Sequence, residues 1–355
     1  ASPPGLAPGS RAWRWGWRAV VAAAVVAVGW LLYERWGRRF DWRAFFHSFA
    51  ALDGKWLAGA GAAALATYWV RAMRWAVMLR PLRPHPNHWG LFTATVIGFA
   101  SVVLIGRPAE LVRPYLIATR ERVPFFSQMG AWVLERIADL LAILLVFGFA
   151  LTQASGAPAT PGAWLTWVLR VGGYVAGASV LILVILLVLL GRSPGEVRET
   201  LIDALSFLPE RYHKRAGRML DAFLEGLSAL RSHRSVAEFV AYTALEWVLI
   251  ALCLLALFRA YPDLPRLSPL DVVVFMGVVS FGSLLQIPGV GGGVQVAAVV
   301  VLGELYGVGL ELASSVAMMI WAITFVVVVP IGVPLALHEG LSWKRMRQIG
   351  EEAEP

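Results

Sequence analysis

An all-α, polytopic membrane fold is predicted for this 355-residue chain by three observations taken together. Hydrophobic residues make up 58% of it and charged residues only 15%. Apolar runs of roughly 20 residues, the length needed to cross a hydrocarbon core, recur from end to end. Two further apolar runs, one in each half, are interrupted by Gly and Pro and then resume. Paired interruptions of this kind mark an inverted pseudo-repeat. The expected architecture is therefore about six full spans plus two broken or re-entrant helical hairpins. A pI near 10.0 and a net charge of +8 raise the question of nucleic acid. The arginines, however, sit in short segments between apolar runs, as the positive-inside rule requires of a membrane protein.

Taken in order, Ala19 to Tyr33 reads as an anchoring span, since no small-residue cleavage site follows it. Trp42, Phe45, Phe46, Phe49 and Leu52 recur at helical spacing and predict an amphipathic helix on the membrane surface from Asp41 to Leu52. Trp56 to Leu79 is the next span, with small residues from Ala58 to Ala66 suited to close helix contact. Trp89 to Ile105 stops at Gly106, Arg107 and Pro108, and a shorter, more polar helix resumes from Ala109 to Thr119, with Pro108 in its first turn. Phe125 to Thr152 is a long run, and the uncharged loop from Gln153 to Trp164 marks an outer face. Trp164 to Leu190 returns. The segment from Arg192 to Arg234 holds eight Lys or Arg residues, which places it inside. Ser193, Pro194 and Glu196 open one amphipathic helix there, and Met219, Phe223, Leu224, Leu227 and Leu230 stripe a second. Val236 to Phe258 spans, Asp271 to Ile287 and Val294 to Leu305 flank the second break, and Ala313 to Leu337 closes the membrane part. One membrane domain is expected over 1–337, with a cytoplasmic amphipathic hairpin at 192–235 and a short cytoplasmic tail at 338–355.

Two topologies fit these runs. If both broken segments enter and leave on one side, both termini lie inside. If every run crosses fully, the N-terminus lies outside. Basic residues before Trp89 divide five against five between the two and decide nothing.

Charges at membrane depth cost about 2.5 to 3.5 kcal/mol each on insertion scales, so each calls for a reason. Around the first break stand Arg107, Glu110 and Arg113. Arg107 beside a helix N-terminus is an anion site by charge and by its amides, and Glu110 and Arg113 share a helical face. Glu135, Arg136 and Asp139 lie in the next span, either as ligand-binding groups or as charge-balanced ties between helices. Arg71 and Arg74 read as snorkelling anchors or as an extension of the same basic cavity. Glu246 is a mid-span counter-charge to one of the arginines, or a proton-coupling carboxylate. Arg71, Arg74, Arg107, Arg113 and Arg136 balance Glu110, Glu135, Asp139, Glu246 and Glu304, so counting does not fix the sign of a ligand.

At the second break, Pro288, Gly289, Gly291, Gly292 and Gly293 lack the Lys and Ser/Thr of a phosphate-binding loop. They form either an unwound segment lining a cavity, with Gln286 and Gln295 supplying amide donors, or a close-packed hairpin tip. Six scattered histidines and one cysteine, Cys253, point to no metal site. No nucleophile elbow is present. The expectation is a non-enzymatic membrane protein without a cofactor.

The segments RPAELVR at Arg107 to Arg113, ERIAD at Glu135 to Asp139 and PGVGGGVQ at Pro288 to Gln295 resemble the lysylphosphatidylglycerol synthase transmembrane-region family, over about residues 20 to 337. Ala109 replaces a common glycine of the first motif, and Gln295 or Val296 replaces the glutamate that usually ends the third. The resemblance implies a flippase-like domain without the soluble aminoacyl-transferase, in a bacterial or archaeal inner membrane with both termini inside. It implies movement of an anionic or modified lipid made by a separately encoded enzyme. A membrane-embedded transferase using Glu110, Glu135 or Asp139 as general base is the alternative, and a non-transporting partner of lipid-synthesis enzymes is a third.

Overall fold

The computed structural model describes residues 40–153, 163–192, 199, 210–227, 232–283, 292–324 and 326–339, and among these every regular element is helical. The segment expected to anchor the N-terminus, the opening of the 192–235 hairpin and the tail beyond Glu339 lie outside the described residues.

Helix α1, Trp42–Ala50, is started by the Asp41 carboxylate, which accepts from the amides of Arg43 and Ala44. Such caps satisfy amides that have no helical partner. It buries Phe45 and Ser48 and leaves Trp42 and Phe46 exposed, as an amphipathic surface helix should. Asp53 caps α2, Gly54–Leu79, in the same way. Asn87 caps α3, His88–Ile105, which ends at Gly106 with φ of 95°, a conformation that favours glycine. A 3-10 turn, Arg107–Leu111, leads into α4, Val112–Glu121. The resumed helix is thus 3-10 before it is α. Proline early in the turn has no amide to donate, and the α-helical register begins only at Val112.

Helices α3 and α4 fold back on each other. Gly98 admits the Arg113 backbone so closely that a Cβ there would stand 2.6 Å from the Arg113 Cβ. Arg120 on α4 reaches Thr93 on α3 at 2.8 Å, and the Asn87 amide donates to Glu121 at 3.0 Å. Both ends of this hairpin therefore lie at one end of the bundle.

Helix α5, Phe125–Gln153, and α6, Ala163–Arg192, are followed by α7, Glu210–Gly226, and α8, His233–Ala260. Within α7, Leu224 is buried, as is Leu227 just beyond it, two members of the apolar stripe read from sequence. Gly130 and Gly226 let α7 seat directly on α5. Helices α9, Pro269–Ser283, and α10, Gly293–Tyr306, form the second hairpin. The Tyr306 hydroxyl donates to the Asp271 carbonyl at 3.0 Å, so this hairpin also has both ends together. The closing run is not one continuous helix. Helix α11, Leu310–Thr324, gives way to a 3-10 turn, Val326–Val328, and to α12, Val329–His338, with Pro330 in its first turn and Pro334 inside it. Pro334 lacks the amide that would donate within the helix, whereas Pro330, in the first turn, removes no helical hydrogen bond.

The long α2 and α8 run antiparallel, since the Asp53 amide donates to the Ala260 carbonyl at 2.9 Å while Arg80 pairs with Glu238. These contacts define two ends of the bundle. Asp41, Asp53, Asp263, Asp271 and Glu311 gather at one. At the other are Arg80, Arg83, Arg120 and Arg122, joined by the Arg83–Glu121 and Arg120–Glu339 pairs, with basic α7 beside them. The first hairpin has its two ends at the Arg80 end of the bundle and the second has its two ends at the Asp41 end. Helix α5 starts at the Arg80 end, so Gln153 comes out at the opposite end. By length and apolarity His88–Ile105, His233–Ala260 and Leu310–His338 are able to cross a membrane. Helices α2 and α5, at 26 and 29 residues, have the length but carry charges in their interiors.

This geometry makes a labelling prediction. In a Cys253→Ala background, cysteines replacing Ala44 and Thr152, both exposed, should react with an impermeant thiol reagent from one side of the membrane. A cysteine replacing Arg83 should react only from the other. Opposite-side labelling of Ala44 and Thr152 would contradict the fold-back of α3 and α4.

Candidate functional site

Helices α2, α4, α5 and α8 each bring charged side chains to one place. On α2, Arg74 is fully buried. Its guanidinium donates to Glu135 Oε1 at 2.6 Å and Asp139 Oδ1 at 2.7 Å on α5, and to Thr243 Oγ1 at 3.3 Å on α8. Glu246 Oε2 lies 3.2 Å away. One turn earlier Arg71 pairs with Glu246 Oε1 at 2.5 Å. From α4, Arg113 grips both oxygens of Glu135, at 3.1 and 2.9 Å, and donates to the Arg71 carbonyl at 3.2 Å. Arg136 reaches Asp139 at 3.3 Å. Among the described side chains, four guanidinium groups thus face three carboxylates, an excess of one positive charge. Arginine suits this work because its planar fork satisfies two acceptors at once.

Aromatic faces complete the shell. Arg113 lies 4.2 Å from the Trp75 ring centroid and Arg71 lies 5.0 Å from that of Phe99. Such contacts hold a cation where water is excluded. Trp75 is itself fixed by donating to Gln128 at 2.9 Å.

Beside the network lies a cavity of about 340 Å³. Arg71, Arg136, Asp139 and Glu246 form its charged wall, Thr67 and Tyr68 add hydroxyls, and Phe99, Ile143, Ile250, Leu254, Phe275 and Ile320 are among its apolar residues. Val279 and Val294, from the two arms of the second hairpin, close it on one side. The Tyr68 hydroxyl donates to the Thr324 carbonyl at 2.8 Å, tying α2 to the point where the closing run breaks. Trp247 also lines the cavity, and its buried Nε1 has no hydrogen-bond partner among the described residues.

Several expectations change. Arg71 and Arg74 are not snorkelling anchors: α3, α4, α5 and α8 cover that end of α2, and carboxylates from two helices meet the guanidiniums. Arg113 turns to Glu135 rather than to Glu110, because the 3-10 turn offsets Glu110 from the α-helical face that carries Arg113. Glu110 is half-buried. The side chains of Arg107 and Pro108, and the residues Gln286, Pro288, Gly289 and Gly291, lie outside what the structure describes. Gly292, with φ of 77°, and Gly293 start α10. Gln295 is half-buried but does not line the cavity. Among the described residues no group of His, Cys, Asp and Glu is arranged to hold a metal. Sequence reasoning passed over Thr67, Tyr68, Phe99, Thr243 and Trp247. For Trp247 the signal was its place next to the mid-span Glu246.

The family model for the lysylphosphatidylglycerol synthase TM region matches residues 17–332, and the chain belongs to that family. No curated protein and no solved structure matched it.

A buried hydrogen bond to a charged group contributes about 1.5 to 3 kcal/mol. Arg74→Gln removes those that join α2 to Glu135 and Asp139 on α5, and the contact to Thr243 on α8, although Arg113, Arg136 and Arg71 still meet the three carboxylates. It should lower the thermal unfolding midpoint in mild detergent sharply, or prevent recovery of folded protein. Arg136→Gln, at a half-exposed position, should unfold close to wild type. Equal stability of the two variants would show that Arg74 does not hold the helices together.

Proposed function

We propose that this family member moves a membrane lipid between leaflets, with the charged wall of the central cavity receiving an anionic or modified head group and the apolar wall facing the chains. The observation that carries this reading is the cavity's division into a charged side and an apolar side at membrane depth. A volume of about 340 Å³ falls in the range of small-molecule sites, roughly 300 to 1,000 Å³. It holds a head group but not a whole lipid, so the acyl chains would trail past the helices. Lipid involvement is in keeping with the family. An unwound or broken helix at bilayer depth is tolerated where it lines such a cavity, and the two hairpins entering from opposite ends fit alternating access around a fixed site.

Orientation follows from the basic side chains. We assign the Arg80 end, with α7 beside it, to the cytoplasmic side of a cell inner membrane by the positive-inside rule; on this reading both broken segments are re-entrant and, with Ala19 to Tyr33 as a span, both termini lie inside. No catalytic role is assigned to Glu135 or Asp139, because both are held by Arg74. A general base needs a proton acceptor within reach of substrate, and these carboxylates already accept from guanidiniums.

Purified protein in liposomes carrying a fluorescent phospholipid should accelerate the exposure of inner-leaflet lipid to an external quencher, with no change in lipid chemical composition. Arg71→Ala should lower that rate about tenfold or more while Arg136→Lys retains most of it. A new lipid product in place of movement would support a transferase instead.

A further inference from the structure

The closing run of the chain changes partners where it breaks. Before the break, Ala313, Val316, Ala317, Ile320 and Ile323 of α11 are buried in a core shared with α8, α9 and α10. After it, Val328 is buried against Tyr68, Val96 and Ala100, and Ala336 joins a core that includes α2, α3 and α4. The two parts are also held differently. Gly332 seats α12 on α3 so closely that a Cβ there would stand 2.9 Å from the Val96 carbonyl oxygen, and Glu339, just beyond α12, pairs with Arg120 of α4. Helix α11 has no glycine and packs chiefly on α10 and α1, where Ser48 donates to Ser315 at 2.7 Å.

The sequence itself keeps the run broken. Pro330 and Pro334 have no amide to give the Val326 and Pro330 carbonyls, so an unbroken α-helix through this stretch would strand both. At bilayer depth a freed carbonyl needs another donor. The carbonyl of Thr324, the last residue of α11, accepts from the Tyr68 hydroxyl of α2 at 2.8 Å. That bond reaches from the side packed with Val328 to the end of α11. Ile320 and Thr324 both line the central cavity.

We infer that the 3-10 turn Val326–Val328 is a hinge on which α11 swings while α12 stays with the first hairpin, and that Tyr68 is the latch that holds the arrangement seen here. Hinges take up a motion in a few residues at the end of an element, between parts that each keep their own packing. The closing run meets both conditions, since its two parts belong to different cores and its prolines prevent a stiff continuous helix. A swing of α11 moves the Ile320 and Thr324 part of the cavity wall relative to the charged wall on α2, α5 and α8. It does so whatever the cavity holds, so the hinge stands independently of the lipid reading above.

Electron paramagnetic resonance distances between spin labels on the full chain in nanodiscs test this, in a Cys253→Ala background because Cys253 is the one cysteine. A labelled cysteine replacing Leu145 of α5 is the reference, paired in turn with one replacing Met318 on α11 and one replacing Leu337 on α12; all three positions are exposed. Tyr68→Phe keeps the ring and removes the latch. Loss of one neutral hydrogen bond corresponds to roughly a fivefold change in a two-state ratio. Tyr68→Phe should therefore enrich a second 145–318 distance about fivefold over wild type and leave the 145–337 distance single. Pro330→Ala together with Pro334→Ala permits a continuous helix and should abolish the second distance even alongside Tyr68→Phe. If that proline variant does not fold, the two label pairs in Tyr68→Phe still decide. A single, unchanged 145–318 distance in Tyr68→Phe would overturn the inference, and so would a shift of both pairs together. A Tyr68→Phe chain that unfolds at lower temperature with its distances unchanged would show a packing role and overturn it as well. If α11 swings but liposomes show no lipid movement, the transport reading fails and the hinge stands. If lipid moves with the closing run rigid, transport stands and the hinge falls.

Discussion

Everything in this molecule is arranged around one guanidinium, that of Arg74. It lies where no water reaches, and it meets Glu135, Asp139 and Glu246 from two other helices. Each of these groups would be costly alone in hydrocarbon. Together they neutralise one another, and a second arginine on each flank extends the arrangement: Arg113 holds the far side of Glu135, and Arg71 holds the far side of Glu246. In lipid there is little hydrophobic drive between helices, so polar ties and close contacts decide which helices meet. The Arg74 cluster fixes α2 against α5 and α8. Gly98, by admitting Arg113, brings the first hairpin into the same assembly.

That cluster also borders the cavity. The space beside Arg71 and Glu246 is bounded on its other walls by the second hairpin and by α11. The charged side is rigid, because most of its hydrogen bonds go to other members of the cluster. The opposite side is made from Phe275, Met276, Val279 and Val294, on helices that belong to the second hairpin. A head group entering this space meets a preorganised polar surface on one side and adaptable apolar surface on the other. Preorganisation of that kind reduces the ordering cost of binding. The cluster is therefore both the main tie of the fold and the polar wall of the site, and the two roles are carried by different members: Arg74 and Glu135 are sealed, Arg71 and Arg136 are open.

Membrane class, helix order and the two paired breaks were legible from hydropathy and from Gly and Pro, because those signals are local. The charged residues that the structure gathers in one network, Arg71, Arg74, Arg113, Glu135, Arg136, Asp139 and Glu246, stand out in the sequence as charges within apolar runs. Their pairing does not. Arg74 and Glu135 are 61 positions apart, and Arg74 and Thr243 are 169 apart, so no periodicity connects them. Arg71 and Arg74 looked like anchors because they lie near the end of α2, and only the neighbouring helices show that this end is covered. The first break looked like an α-helix N-terminus because Pro108 suits one; the 3-10 turn that replaces it depends on how tightly α3 and α4 fold back at Gly98. Trp247 was invisible among sixteen tryptophans, since only burial distinguishes its unpartnered N–H from those that reach an interface.

Cryo-electron microscopy of the full chain in nanodiscs made with an anionic phospholipid tests the central claim most directly. The account predicts a phosphate density inside the bundle, within hydrogen-bond distance of Arg71 or Arg136, with acyl density trailing toward the bilayer past the apolar wall. A cavity containing only water or acyl density, with every phosphate at the membrane surface and the Arg71–Glu246 pair closed, would contradict it.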